Sequence, residues 1–178
     1  MIANLDQLYA ALDVLLSGIS RACSSCTHDD CRGYIWLMPE EEEPLYEAGV
    51  EILQVNESKF INPFLEGPID VEIYKPPCPW RENGLCSIHE KRPLFCRLFP
   101  LDFSCEGGIV HVVLQLDCAW SAVQNKSFKQ KAQRLFSKMN PDLLKRVVDT
   151  WLAVENLSKY PYGPNRSQVL FPLGRYPA

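Results

Sequence analysis

The sequence predicts a small single α+β domain, with helices at both ends packed around short strands and irregular cysteine-rich loops. Apolar residues recur at helical spacing over residues 3 to 20 and again from Phe128 to Val154. Between them lie short runs of strand character. The stretch Cys78 to Pro100 is punctuated by Pro79, Gly84, Pro93 and Pro100, so its backbone is mostly turns and short extended pieces. A chain of 178 residues can build one core without covalent staples, so its eight cysteines need another reason.

Leu5, Leu8, Tyr9, Leu12, Leu15, Leu16 and Ile19 share one face of an amphipathic first helix, with Asn4, Asp6, Gln7 and Asp13 elsewhere on the wheel. Gly18 and Ser20 lie near its end. Cys23, Cys26 and Cys31 therefore fall on a turn after a helix, where backbone N–H groups and side chains can wrap a small ion. Gly33 to Met38 has the aromatic and branched residues of a short strand that Pro39 ends. A helix is expected to begin nearby and to close at Gly49, with Glu40 to Glu43 at its positive end as a solvated face.

Val50, Ile52, Leu53 and Val55 precede a turn, and the alternation Ile69-Asp70-Val71-Glu72-Ile73 predicts a strand that delivers the chain to Cys78. Leu101 to Cys105 and Ile109 to Leu116 flank Glu106-Gly107-Gly108, a hairpin signal, and the second strand is expected to run into Cys118. His111, alone in an apolar strand, is expected to be a hydrogen-bonded structural residue.

The C-terminal third is basic where the first sixty residues are acidic. Phe128, Ala132, Leu135, Phe136 and Met139 mark one amphipathic helix. Asn140-Pro141 caps another that carries Leu143, Leu144, Val147, Val148, Trp151, Leu152 and Val154. The domain is expected to span residues 1–160. Residues 161–178 form a proline-rich arm that lies extended across the body or is loose.

The net charge of −4 argues against a nucleic-acid binder. The first residues lack a basic region and carry Asp6 and Asp13 within the apolar stretch, which makes a poor signal peptide, and no run approaches the ~18 apolar residues of a membrane span. A cytoplasmic protein is expected, where thiols stay reduced and cysteine clusters bind metals or catalyse; secretion would instead allow four disulfides. The sequence has no glycine-rich phosphate loop, no Gly-x-Ser-x-Gly and no His-Glu-x-x-His, so hydrolase and nucleotide-binding functions lack positive support.

Soft thiolates select zinc, copper(I) or iron–sulfur clusters over hard cations. Cys78-x7-Cys86-x9-Cys96, with Cys118 arriving from a strand, fits a 4Fe–4S cluster or a zinc centre equally well on spacing. The fuller pattern is Cys78-x7-Cys86-x-Ile88-His89-x2-Arg92-Pro93-x2-Cys96-Arg97-x-Phe99-Pro100, preceded by Cys23-x2-Cys26. It resembles the YkgJ-like CxxCxxCC cysteine-cluster proteins, a zinc- or iron-chelating family related to the longer, iron–sulfur-like flagellin lysine methylases. The resemblance runs from about Cys23 to Cys118 and implies metal ligation by Cys23, Cys26, Cys78, Cys86 and Cys96, with Cys118 as downstream partner. It does not carry methylation over.

The first cluster departs from the family's Cys-x2-Cys-x2-Cys-Cys, becoming Cys23-x2-Cys26-x4-Cys31. Either Cys31 reaches the same place by a longer loop, or His28, Asp29 or Asp30 completes the site, and one or two centres remain open. Cys105 is expected to be a buried thiol outside the ligand set. His89 either packs or hydrogen-bonds a thiolate. Arg92 and Arg97 either offset the charge of a thiolate centre or pair with Glu82, Glu90 or Asp102. Trp80, Phe95 and Phe99 wall off the centre or form local core.

Two functional classes follow. One is a metal or iron–sulfur protein whose centre has a redox or protein-modification role. The other is a module that zinc staples and whose charged surface recognises a protein partner. A metal-free redox sensor built on Cys23 and Cys26 ranks last.

Overall fold

The computed structural model describes residues 1–19, 22, 35–47, 49–50, 52–55, 58–61, 80–82, 85–116, 118–155 and 166–176. Helix α1 (Leu5–Leu15) opens the chain, and β1 (Ile35–Trp36), a 3-10 turn (Pro39–Glu41) and α2 (Glu42–Glu47) follow. Next come β2 (Leu53–Val55), β3 (Ser58–Ile61), the short pair β4 (Arg81–Glu82) and β5 (Leu85–Cys86), a 3-10 turn (His89–Lys91) and α3 (Leu94–Leu98). The hairpin β6 (Leu101–Glu106) and β7 (Ile109–Gln115) leads through a 3-10 turn (Ser121–Val123) to α4 (Lys126–Ser137), α5 (Pro141–Glu155) and β8 (Ser167–Arg175). This is the α+β domain expected from the periodicities.

The longest helices start on asparagines for one physical reason. The Asn4 side chain accepts from Gln7 N–H at 3.0 Å, Asn125 from Ser127 N–H at 2.9 Å, and Asn140 from Asp142 N–H at 2.8 Å. Each bond satisfies a first-turn donor that has no partner within its helix, at about 1 kcal/mol. Helix α2 ends on Gly49 at φ +75°, with Gly49 N–H bonded to Tyr46 O at 2.9 Å and Val50 N–H to Leu45 O at 3.0 Å. That is the paired bonding of a left-handed helix cap, completed by apolar packing of Val50 with Leu45.

Among the described residues three antiparallel sheets form, ordered β1-β3-β2, β4-β5 and β6-β7-β8. The β6–β7 hairpin turns on Gly107 and Gly108, at φ +59° and +75°, the positive angles that a two-residue hairpin loop of matching twist requires. Of the expected C-terminal arm, the described part is extended. Its residues Ser167–Arg175 pair with β7 as the third strand, with register shifts at Val110/His111 and Val112/Val113.

The main core gathers Leu5, Leu8, Leu12 and Leu16 of the first helical segment, Leu94 and Leu98 of α3, and inward residues of β6, β7, β8, α4 and α5. Edge-to-face rings run through it: Trp151 to Phe103 at 5.8 Å, Phe103 to Phe136 at 6.1 Å and Phe136 to Phe171 at 5.9 Å. A smaller cluster of Leu37, Leu45 and Val50 takes Trp80 and Ile88 against it. The cysteine motif thus rests on both clusters. Chain entry is fastened too, since Ile2 bridges to Met139 while its N–H reaches Lys138 O at 2.7 Å and its carbonyl takes Asn140 N–H at 2.8 Å.

Four expectations are corrected. The acidic run is not wholly a solvated face: Glu41 is buried, because its carboxylate accepts from three donors inside the fold. Cys105 is exposed rather than buried, because the β6–β7 hairpin carries its tip beyond the core. The Nδ1 atom of His111, expected to be hydrogen-bonded, is buried with no hydrogen-bond partner among the described residues. Strand β7 also ends at Gln115, short of Cys118. The strand expected over Ile69–Ile73 lies outside the described residues.

Candidate metal centre

Cys86 closes β5, where β4 and β5 are held by pairing of Arg81 with Cys86 and Glu82 with Leu85. Directly after it the chain folds back, with both Ser87 N–H and Ser87 Oγ reaching Trp80 O, at 2.7 and 3.0 Å. The turn at His89–Lys91 follows, and Pro93 caps α3, in which Cys96 lies between the buried Leu94 and Leu98. These elements are only two to five residues long. Pairing among themselves gives them little stability, so side chains must hold the segment in place.

Arg97 supplies that hold. Its guanidinium is buried, and every N–H has an acceptor: Nε donates to Arg92 O at 2.9 Å, Nη2 to Glu90 O at 2.5 Å and His89 O at 3.4 Å, and Nη1 to the Asp13 carboxylate at 3.1 and 3.2 Å. It also lies 4.6 Å from the centre of the Tyr9 ring, a cation–π contact. The sequence offered Glu82, Glu90 or Asp102 as its partner. Asp13 of α1 takes that place, Glu90 contributes only its backbone carbonyl, and Asp102 instead accepts from Phe103 N–H and Gln115 Nε2.

Tyr9 and Glu41 extend this network. The Tyr9 hydroxyl donates to Glu41 Oε1, which also accepts from Leu94 N–H, while Glu41 Oε2 accepts from Met38 N–H at 2.8 Å. Burial pushes the Glu41 carboxyl up, against the pull of these three donors. Burial and the neighbouring carboxylate likewise push the Tyr9 phenol up, which keeps it a donor. Tyr9, Asp13 and Glu41 are site residues that the sequence did not single out. Periodicity placed Tyr9 on an apolar face, and the one local signal for Glu41 is its position three residues after Met38, the spacing of a capping box.

Around Cys86 the electrostatics are mixed. Burial raises the thiol pKa, while the Ile88 N–H bonded to sulfur and the Arg92 and Arg97 guanidinium groups favour the thiolate. His89 is held below its ordinary pKa, first by burial and then by Arg92. A guanidinium only donates, so the 3.3 Å contact of Arg92 Nη2 with His89 Nε2 makes Nε2 the acceptor and puts the ring proton on Nδ1. Arg92 also donates to His89 O at 3.2 Å.

The predicted ligands are placed unevenly. Cys86 and Cys96 are half-buried on the segment that Arg97 ties together, and Cys118 is buried, its carbonyl capping the Ser121–Val123 turn through Ser121 N–H at 2.9 Å. Cys23, Cys26, Cys31 and Cys78, with His28, Asp29 and Asp30, lie outside the described residues. Among the described residues no three His, Cys, Asp or Glu side chains are gathered closely enough to hold a metal ion. The donors fit a soft metal in kind. Cys86 has an N–H on its sulfur and the Arg92 and Arg97 cations nearby, which work against the burial that pushes its thiol pKa up.

A small α+β domain that carries half-buried Cys86 and Cys96 on short elements tethered by an arginine fits the class of cysteine-rich chelating domains. Residues 22–134 match the family model CxxCxxCC, "Putative zinc- or iron-chelating domain", and the chain belongs to that family. No curated protein and no solved structure gives a significant match. Among the described residues no helix is long and apolar enough to cross a membrane.

Proposed function

We propose that this chain is a cysteine-ligated metal protein whose centre, an iron–sulfur cluster or zinc, draws on Cys23, Cys26, Cys31, Cys78, Cys86, Cys96 and Cys118. The observation that carries the reading is the tethering of Cys86 and Cys96 on one short segment by Arg97, with an N–H on the Cys86 sulfur and the Arg92 and Arg97 guanidinium groups offsetting part of the burial that pushes its thiol pKa up. A cluster would supply electron transfer, and a redox or protein-modification role follows from it. A reducing cytoplasm suits such thiols.

A second reading is supported by the shortness of β4, β5, the His89–Lys91 turn and α3. Loops of that kind gain most from a structural zinc that staples them, leaving the charged surface to bind a protein partner. Elemental analysis and an absorption spectrum of anaerobically purified protein separate the two. Iron, acid-labile sulfide and broad absorbance near ~400 nm support the cluster. Stoichiometric zinc in a colourless sample supports the staple. Folded protein free of both metals overturns the chelating role.

A further inference from the structure

We propose that Arg97 is a positioning residue of the metal centre, fixing the segment that carries Cys86 and Cys96 against α1 through one polar knot with Tyr9, Asp13 and Glu41. The proposal rests on the chelating function above and adds a mechanism for assembling its ligands. Those ligands come from segments far apart in sequence, and a metal with fixed geometry binds tightly only if they are already close to their final places.

The knot joins the segments concerned. Arg97 follows Cys96 directly, and its three carbonyl bonds, to His89, Glu90 and Arg92, fix the turn that follows Cys86. Its bonds to Asp13 and its seat on Tyr9 fasten that turn to α1, the helix from which the chain runs on to Cys23 and Cys26. Glu41 then holds Tyr9 by its hydroxyl and α3 by the Leu94 N–H, so the same carboxylate anchors the helix that carries Cys96. Apolar packing of Leu94 and Leu98 against Leu8 and Leu12 brings α1 and α3 together. Such contacts are non-directional, and register is set by the directional fork of a guanidinium.

Arg97 contributes geometry that charge alone does not reproduce. A lysine there keeps the positive charge but offers a single ammonium in place of the planar fork, and cannot bond Asp13, Arg92 O and Glu90 O at once. Tyr9→Phe keeps the ring under the cation and removes only the bond to Glu41.

The test uses full-length protein stripped of metal and titrated with Zn2+ and with Co2+, whose thiolate-to-metal charge-transfer bands report how many sulfurs bind. Wild type, Arg97→Lys, Tyr9→Phe and the surface control Lys131→Gln are compared, with circular dichroism confirming the fold of each. Arg97→Lys and Tyr9→Phe are expected to weaken Zn2+ affinity by about tenfold or more and to lose charge-transfer intensity, while the control matches wild type. Wild-type affinity and an unchanged Co2+ spectrum in folded Tyr9→Phe and Arg97→Lys overturn the positioning role and leave the chelating function standing. If Arg97→Lys fails to fold, Tyr9→Phe decides. Wild type that takes up neither ion and is also purified free of iron and zinc overturns the chelating function, and the positioning role with it.

Discussion

Arg97 Nη1 donates to both carboxylate oxygens of Asp13, at 3.1 and 3.2 Å, and so bonds the residue after Cys96 to the helix that opens the chain. The two charges differ in setting: the Arg97 side chain is 5% exposed and that of Asp13 48%. Solvent screens the carboxylate, so the ion pair itself contributes little. The weight of the contact lies in the guanidinium, whose other donors serve three backbone carbonyls. Arg97→Leu removes the side-chain donors to the Arg92 and Glu90 carbonyls, while His89 O keeps its bond from Arg92, and is expected to destabilise the fold by about 2–4 kcal/mol. Asp13→Asn should cost under about 1 kcal/mol. Urea unfolding of both variants checks this, and equal losses would refute the unequal division.

Glu41 links stability to pH. Its pKa in the folded chain lies above the ordinary 4.5, so the native state holds this proton more tightly than the unfolded chain does. The stabilisation is complete below the unfolded pKa and is lost as pH rises through the folded value. The stability of wild type relative to Glu41→Gln is therefore expected to fall as pH is raised from 4 toward 7. A difference that grows over this range would mean that the three donors outweigh burial.

Asn125 is the cap of α4, accepting from Ser127 N–H at 2.9 Å and Phe128 N–H at 3.4 Å. Asn125→Ala should cost about 1 kcal/mol, a fall in Tm of about 2–4 °C, whereas Asn125→Ser should be close to neutral. Calorimetry on the two variants distinguishes the cap from general loss of packing.

Thiol reactivity should follow burial. Cys105 is exposed and Cys118 buried, so a short pulse of iodoacetamide on native protein is expected to label Cys105 well before Cys118, which stays unlabelled until the chain is unfolded. Peptide mass mapping reads the order, and early labelling of Cys118 would contradict its place in the core.

Metal content should separate the cysteines as well. Cys86→Ser and Cys96→Ser are expected to lose most bound metal, and Cys105→Ser to retain it, because Cys105 sits at the hairpin tip away from the motif. Plasma emission spectrometry on the purified variants decides. Full metal content in Cys86→Ser would remove that residue from the ligand set.

Much of the scaffold was legible because its signals are local. Leucines one turn apart predict α1, Asn140-Pro141 predicts the start of α5, and Gly107-Gly108 predicts the β6–β7 turn. Each depends on neighbours a few residues away, where backbone geometry and side-chain pattern are directly coupled. The cysteine motif was legible for a different reason, since it is a spacing of chemically specific residues, and the family match covers it.

The partners across the fold were not legible. Glu41 reads as one member of an acidic run until its carboxylate is seen to accept from Tyr9, Met38 and Leu94. Arg97 had nearer acids to choose from in sequence, and Cys105 has the strand position of a core residue but lies at a hairpin tip.

The sequence by itself determined the helices, the hairpin and the thiol chemistry, because each is written in short-range periodicity or in residue type. Only the tertiary structure decided which acid meets Arg97, which glutamate leaves water and where the C-terminal arm pairs. Those outcomes depend on segments brought together by burial of apolar faces, and burial fixes which polar groups must find partners without marking the partners in the local sequence.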